Sequence, residues 1–336
     1  MSSNELDTND TAFLDSSLRP TAWEGYIGQE AVKKNLQILL AAAKERNHPP
    51  EHILFYGGPG LGKTTLAHLV AKELGASIKS TSGPAIEKVG DLASILTNLS
   101  PGDILFIDEV HRLNKLIEEV LYPAMESGSL HIVIGKGPGA RSIELALPPF
   151  TLVAATTRLS LISPPLRSRF SGGIFRLEPY KLGEIAEIIT RSAKLLGITI
   201  DHKAALLIAE RSRSTPRTAN HFLKRCRDVA QLQKKELNET IVLESLALLG
   251  IDPLGLSNAD RKVLEILLDK FAGGPVGLST LAAASGEEQE TIEDVLEPFL
   301  IQLGFLERTP RGRLATRRAY EHLGRDLPKD RQDSLL

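Results

Sequence analysis

Apolar residues fall along this chain in two alternating patterns. His52 to Tyr56, Asp103 to Ile107, Phe150 to Ala155 and Ile174 to Leu177 are short, dense apolar runs. Runs of that length suit strands buried on both faces. Ser77 to Thr81 reads as a further strand. Between the runs, apolar positions recur at helical spacing. Ala31 to Arg46 carries Val32, Leu36, Leu39 and Leu40 on one side, and Thr64 to Leu74 carries Leu66, Leu69, Val70 and Leu74. A third helix follows Asp108, with Leu113, Leu116, Ile117, Val120, Leu121, Ala124 and Met125. Strands alternating with helices predict an α/β domain with a parallel sheet covered on both faces.

Leu130 to Ile134 and Ser142 to Leu145 flank a Gly/Pro-rich turn and read as a long hairpin. From Lys181 to about Leu249 the strand signal stops and helical spacing takes over, as in Ile185/Ile188/Ile189 and Phe222/Leu223/Val229. That predicts a small all-helical domain. Beyond a linker at Ile251 to Gly255, helices are expected over Asn258 to Lys270, Leu278 to Ala284 and Thr291 to Leu303. A tight hairpin from Phe305 to Thr316 turns through Pro310-Arg311-Gly312. Three helices and a two-stranded wing form the winged-helix pattern, a relative of helix-turn-helix modules. Residues 1–16 hold Glu5, Asp7, Asp10 and Asp15 without a lysine or arginine, and read as a disordered acidic tail. The expected division is tail 1–16, sheet domain 17–180, helical domain 181–252 and winged helix 253–336.

Composition narrows the classes. Hydrophobic content of 42% is that of an ordinary globular protein. One cysteine excludes an internal disulfide and a cysteine-rich zinc site, and suits a reducing cytosol. That residue, Cys226, is expected in the core. No run approaches a membrane span, and the N-terminus lacks a signal-peptide pattern. Net charge is −2, so any nucleic-acid contact must be local. The local candidate is the wing, where six arginines between Glu307 and Arg325 face two glutamates. Arg308, Arg311 and Arg313 are read there as projecting to one side of a strand, and arginine forks suit phosphate oxygens.

The strongest chemical signal is Gly57-Gly58-Pro59-Gly60-Leu61-Gly62-Lys63-Thr64-Thr65 between an expected strand and helix. In that context the glycines let backbone N–H groups converge on phosphates, and the helix N-terminus adds partial positive charge. Lys63 would reach the β- and γ-phosphates of ATP, and the Thr64 hydroxyl would ligate Mg²⁺. Asp108-Glu109 ends a strand expected beside that of the loop. Asp108 would hold Mg²⁺ through its water shell, and Glu109 would deprotonate the attacking water. His111 is given no role. Arg167, Arg169 and Arg217 are candidates for stabilising the transferred phosphate.

These strings, with Ala-Thr-Thr-Arg at 155–158 and Pro-Leu-Arg-Ser-Arg-Phe at 165–170, resemble the AAA+ ATPases. Thr81-Ser82-Gly83-Pro84, Leu121-Tyr122-Pro123-Ala124-Met125-Glu126, Gly273 to Leu278 and Thr309 to Arg313 narrow the resemblance to the RuvB family, the motors of bacterial Holliday-junction branch migration. It covers about Leu18 to about Leu323. It implies an AAA+ domain, a helical lid and a winged helix in a homohexameric ring, with RuvA, RuvC, Holliday-junction and duplex DNA as partners. Nucleotide would be shared between neighbouring subunits. By that resemblance Gly60, Gly62, Lys63, Thr64 and Thr65 hold phosphate, and Thr157 senses the γ-phosphate. Arg169 reaches the adjacent subunit's site, and Arg217 is the sensor on the helical domain. Leu18, Arg19 and Ile27 surround the adenine, Tyr180 lies near the nucleotide, and Glu126, Ser127 and Gly128 lie near the neighbour's nucleotide. The 130–145 hairpin, with Ile132, Val133 and Ile134, would bind RuvA. The alternative is a clamp loader. Ser168-Arg169-Phe170 in place of Ser-Arg-Cys, and the lack of zinc-binding cysteines, weigh against it.

Overall fold

The computed structural model describes residues 17–134 and 141–327. The described residues separate into two compact units, one of those up to residue 198 with 214–221, the other of 199–213 with those from 222 onward.

The first unit is built on a five-stranded parallel sheet: β1 (Ile53–Tyr56), β2 (Ile78–Ser82), β3 (Ile104–Asp108), β6 (Thr151–Thr156) and β7 (Gly173–Arg176), in the order β2-β3-β6-β1-β7. Ile53, Leu54 and Phe55 are fully buried, and so are Ile104, Leu105 and Ile107, because helices cover both faces. β6 lies between β1 and β3. The strand of Asp108 is therefore not the direct neighbour of the loop's strand, as the sequence suggested. The interposed strand brings Thr156 beside Tyr56 in register. The carboxyl ends of β1, β3 and β6 thus share one edge of the sheet, where open α/β sheets bind ligands.

The helices of this unit are α1 (Glu30–Glu45), α2 (Lys63–Leu74), α3 (Val89–Thr97), α4 (Lys115–Glu126), α5 (Pro164–Arg167) and α6 (Leu182–Leu195). The sequence reading missed α3, whose second residue is Gly90. Its start is fixed by Asp91, which accepts the Lys88 N–H at 2.9 Å, and Leu92, Ala93 and Leu96 dock it on the core. β4 (Ser129–Ile134) pairs antiparallel with β5 (Arg141–Ala146), setting Ile132 opposite Ile143. The side chains of Ile132, Val133 and Ile134 lie outside the described residues.

The second unit holds α7 (His202–Arg211), most of α8 (Pro216–Gln233), α9 (Glu239–Leu248), α10 (Asn258–Phe271) and α11 (Leu278–Ser285). The helix expected over 291–303 is interrupted. α12 (Gln289–Thr291) passes into a wide π turn (Ile292–Leu296) before α13 (Glu297–Gln302). Pro298 has no N–H for the ordinary bond to residue 294, and the π turn absorbs the misfit. β8 (Leu306–Thr309) and β9 (Gly312–Ala315) form the wing, followed by α14 (Arg317–His322). Val263, Leu264, Leu281, Leu300 and Phe305 are among its core residues. Cys226 is fully buried, and burial pushes its thiol up to about 11. Among the described residues no helix is long and apolar enough to cross a membrane.

Candidate functional site: a phosphate loop and its carboxylates

Residues 57–62 connect β1 to α2, and two of their glycines are required by geometry. Gly60 and Gly62 have φ of +77° and +98°, a region costly for L side chains. A Cβ on Gly60 would lie 3.0 Å from the Arg217 Cβ, and one on Gly62 would lie 2.8 Å from the Tyr26 hydroxyl. The loop is thus wedged between Tyr26 and the start of α8. Lys63 is only 7% exposed and folds back, its ammonium donating to the carbonyls of Gly57 and Gly58 at 2.8 Å each. Burial pulls its pKa below the ordinary lysine range, Glu109 and Asp108 oppose that shift, and Arg217 adds to it. Lys63, the two acids and Arg217 therefore act on one another within one charged cluster.

The Thr64 hydroxyl donates to Asp108 Oδ2 at 3.5 Å, and the Glu109 N–H donates to Asp108 Oδ1 at 3.0 Å. Glu109 itself sits at φ +49°, where the strand ends. Its carbonyl is packed so close to Gly83 that a Cβ there would come to 2.4 Å. The Glu109 carboxylate accepts the Thr157 hydroxyl at 3.1 Å, and His111 Nδ1 lies 3.2 Å from the same oxygen. His111 Nδ1 is also 2.9 Å from the Thr156 hydroxyl. The chemistry of Asp108, Glu109 and Thr157 is thus gathered at the ends of two adjacent strands.

One cavity contains Leu18, Arg19, Ile27, Gly60, Gly62, Lys63, Thr64, Thr65, Asp108, Glu109, Tyr180 and Arg217. The N-terminal segment is held there by Gln29, whose side chain donates to the Glu178 carbonyl at 2.7 Å and accepts the Glu178 N–H at 3.1 Å. Arg191 donates to the Leu18 carbonyl at 3.1 Å. The Tyr180 hydroxyl, with one proton to donate, lies 3.2 Å from the Tyr26 hydroxyl and 3.3 Å from the Leu61 carbonyl. Burial raises both phenols, Tyr180 to about 12, so both keep their protons. Tyr26, Ile188, Arg191 and Asn220 also line the cavity and had no signal of their own in the sequence.

Five of the residues expected at the nucleotide do not line this cavity: Thr157, which stays beside Glu109, and four that lie elsewhere. Arg169 pairs with Glu126 at 2.9 Å on the far end of α4. Ser127 donates to the Pro123 carbonyl at 3.0 Å, and Gly128 follows in the turn before β4. None of these four lines the loop cavity.

The wing corrects the expectation of three arginines on one side of a strand. Arg308 on β8 is the register partner of Arg313 on β9, and Arg311 is exposed in the turn between them. Arg308 Nε and Arg313 Nε donate to Glu297, at 2.6 and 2.5 Å, and that carboxylate is fully buried. Two of the three guanidiniums therefore neutralise an interior charge. Breaking a buried ion pair by removing one partner costs up to about 3–5 kcal/mol, less here because Arg308 stays on Glu297. Arg313→Ala is expected to lower the denaturation midpoint of the second unit accordingly, and Arg311→Ala to leave it unchanged; chemical unfolding followed by circular dichroism distinguishes them.

Residues 18–177 match the family model described as the Holliday junction DNA helicase RuvB P-loop domain, 180–252 the RuvB AAA lid domain, and 253–324 the RuvB C-terminal winged helix domain. The Holliday junction branch migration complex subunit RuvB of Chloroflexus aggregans is 56% identical over 327 residues, covering 97% of this chain and 93% of that protein. The subunit of the same name from Dehalococcoides mccartyi is 56% identical over 332 residues, covering 98% and 95%. The chain belongs to the RuvB family. Among solved structures, the Thermotoga maritima RuvB Holliday junction branch migration motor is similar with a TM-score of 0.84 and 48% identity, covering 93% of this chain and 100% of that one. The family's AAA+ P-loop ATPase domain, lid and winged helix are therefore all represented here. The clamp-loader alternative gains nothing from these relatives.

Proposed function

We propose that this chain is the ATP-hydrolysing subunit of a motor that moves duplex DNA to drive branch migration of four-way junctions. The observation that carries this reading is the cavity joining Lys63, Thr64, Asp108, Glu109 and Arg217 in a chain that also bears a winged helix. The α2 N-terminus and Lys63 bind the triphosphate and neutralise its charge. Thr64 and Asp108 present two hard oxygen donors 3.5 Å apart, which suits a magnesium ion that keeps most of its waters. Bound there, the ion would supply neutralisation of the charge on the transferred phosphate. Glu109, oriented by Thr157, takes a proton from the attacking water. Arg217 reports the nucleotide state to the lid.

In this reading the subunits form a homohexameric ring around DNA in the cytoplasm, and the chain divides at residues 17–180, 181–252 and 253–336. Arg169 lies outside the loop cavity, which fits a role in a neighbour's site beside Glu126, Ser127 and Gly128. The β4–β5 hairpin with Ile132, Val133 and Ile134 is the docking element for RuvA, and RuvC joins the assembly at the junction. Arg311, with Arg308 and Arg313 behind it, faces the DNA backbone. Arg311→Ala should reduce the slope of log affinity against log salt by about one unit, equally for all sequences.

ATP turnover measured with duplex DNA and RuvA, and separately with a sliding clamp, tests the reading. DNA and RuvA are expected to raise the rate and the clamp to leave it unchanged. Stimulation by the clamp alone would transfer the chain to the clamp loaders.

A further inference from the structure

The Leu121 to Glu126 stretch carries an arrangement that the nucleotide cavity does not use. α4 places Glu118, Tyr122 and Glu126 at four-residue intervals on one face. Glu118 is 5% exposed, and its Oε2 accepts both the Tyr122 hydroxyl at 3.2 Å and the Ser163 hydroxyl at 2.5 Å. Ser163 caps α5, its oxygen accepting the Leu166 N–H, and lies 3.1 Å from the Tyr122 hydroxyl. Tyr122 is thereby pinned to the root of the segment that ends in Arg169. The Arg169 guanidinium carbon stands 4.3 Å from the centre of the Tyr122 ring. One terminal nitrogen pairs with Glu126 at 2.9 Å, and the other donates to the Pro165 carbonyl at 2.5 Å.

We infer that Tyr122 is a positioning residue for Arg169: its ring is the shelf that sets the plane and direction of the guanidinium presented to the neighbouring subunit. The inference rests on reading Arg169 as an arginine acting in trans. A long flexible arginine is useful against a developing phosphate charge only if it is held in place beforehand. A ring face holds the flat cation while leaving its N–H edges available. The Arg169 side chain is 19% exposed; its two terminal nitrogens are held by Glu126 and Pro165, but its Nε is buried without a hydrogen-bond partner among the described residues, so hydrogen bonds hold only the outer end of the guanidinium. Glu126 is 59% exposed, a water-screened anion that a phosphate can replace.

The test compares Tyr122→Leu and Tyr122→Phe in the full-length chain assembled with DNA. Leucine is expected to lower kcat on the order of 10- to 100-fold with KM for ATP unchanged, because the loop cavity is intact. Mixing Tyr122→Leu with Lys63→Ala should restore turnover, as for a defect supplied in trans. Phenylalanine keeps the ring and should stay near wild type. Should Tyr122→Leu fail to assemble, Tyr122→Met carries the same expectation. Wild-type kcat in the leucine or methionine variant, with Arg169→Ala inactive and rescued by Lys63→Ala, would overturn the shelf. So would a phenylalanine variant as slow as leucine. If Arg169→Ala itself is not rescued by Lys63→Ala, the trans arginine fails instead.

Discussion

Glu109→Gln is expected to bind ATP with near wild-type affinity and to hydrolyse it about 10²–10⁴-fold more slowly. The exchange is isosteric. The amide oxygen can still accept the Thr157 hydroxyl that the carboxylate accepts at 3.1 Å. The groups proposed to bind phosphate, Lys63 and the α2 N-terminus, are untouched. What is lost is a group able to take a proton from water. Equilibrium binding of a fluorescent ATP analogue, set beside steady-state phosphate release, separates the two effects. Wild-type turnover by the variant would remove Glu109 as the base.

Arg169→Ala is expected to leave nucleotide binding by a single subunit intact and to cut hydrolysis by assembled rings about 10³–10⁵-fold, the range of a lost arginine finger. The reason is geometric. Arg169 pairs with Glu126 and stacks on Tyr122, away from the cavity of its own chain. Lys63→Ala has the complementary defect, an intact arginine beside a crippled loop. In an equal mixture, roughly a quarter of head-to-tail interfaces combine an intact loop with an intact finger. Turnover should therefore reappear on mixing two inactive proteins. If titration across several ratios restores nothing, Arg169 acts within its own subunit or not at all.

What could be read from the sequence was what is contiguous. The phosphate loop and Asp108-Glu109 are short strings of distinctive residue types, each bounded by an apolar run, so local pattern places them. Contacts between distant segments left no such trace. Tyr26 meets Tyr180 across 154 residues, and Gln29 grips Glu178 across 149. Each is an ordinary polar residue until the fold brings its partner. His111 looked like a local histidine, and only the adjacency of β3 and β6 sets it between Glu109 and Thr156. The wing shows a different limit. Placing Arg308, Arg311 and Arg313 on one face assumes one continuous strand, and even there the three-residue step from Arg308 to Arg311 would send them to opposite faces. The turn at Pro310 and Arg311 folds that stretch back on itself, and Glu297 from another element claims two of the arginines. The π turn was hidden because apolar spacing continues through it, while the missing N–H of Pro298 acts on backbone hydrogen bonds alone.

The central claim, that ATP hydrolysis by this chain moves four-way junctions, is tested most directly on a synthetic mobile junction. Its branches are allowed to migrate to products in the presence of the protein, RuvA and ATP. The account predicts product formation that requires all three and disappears when Glu109→Gln replaces the wild-type chain. Conversion that proceeds equally well without ATP, or with Glu109→Gln, would contradict it.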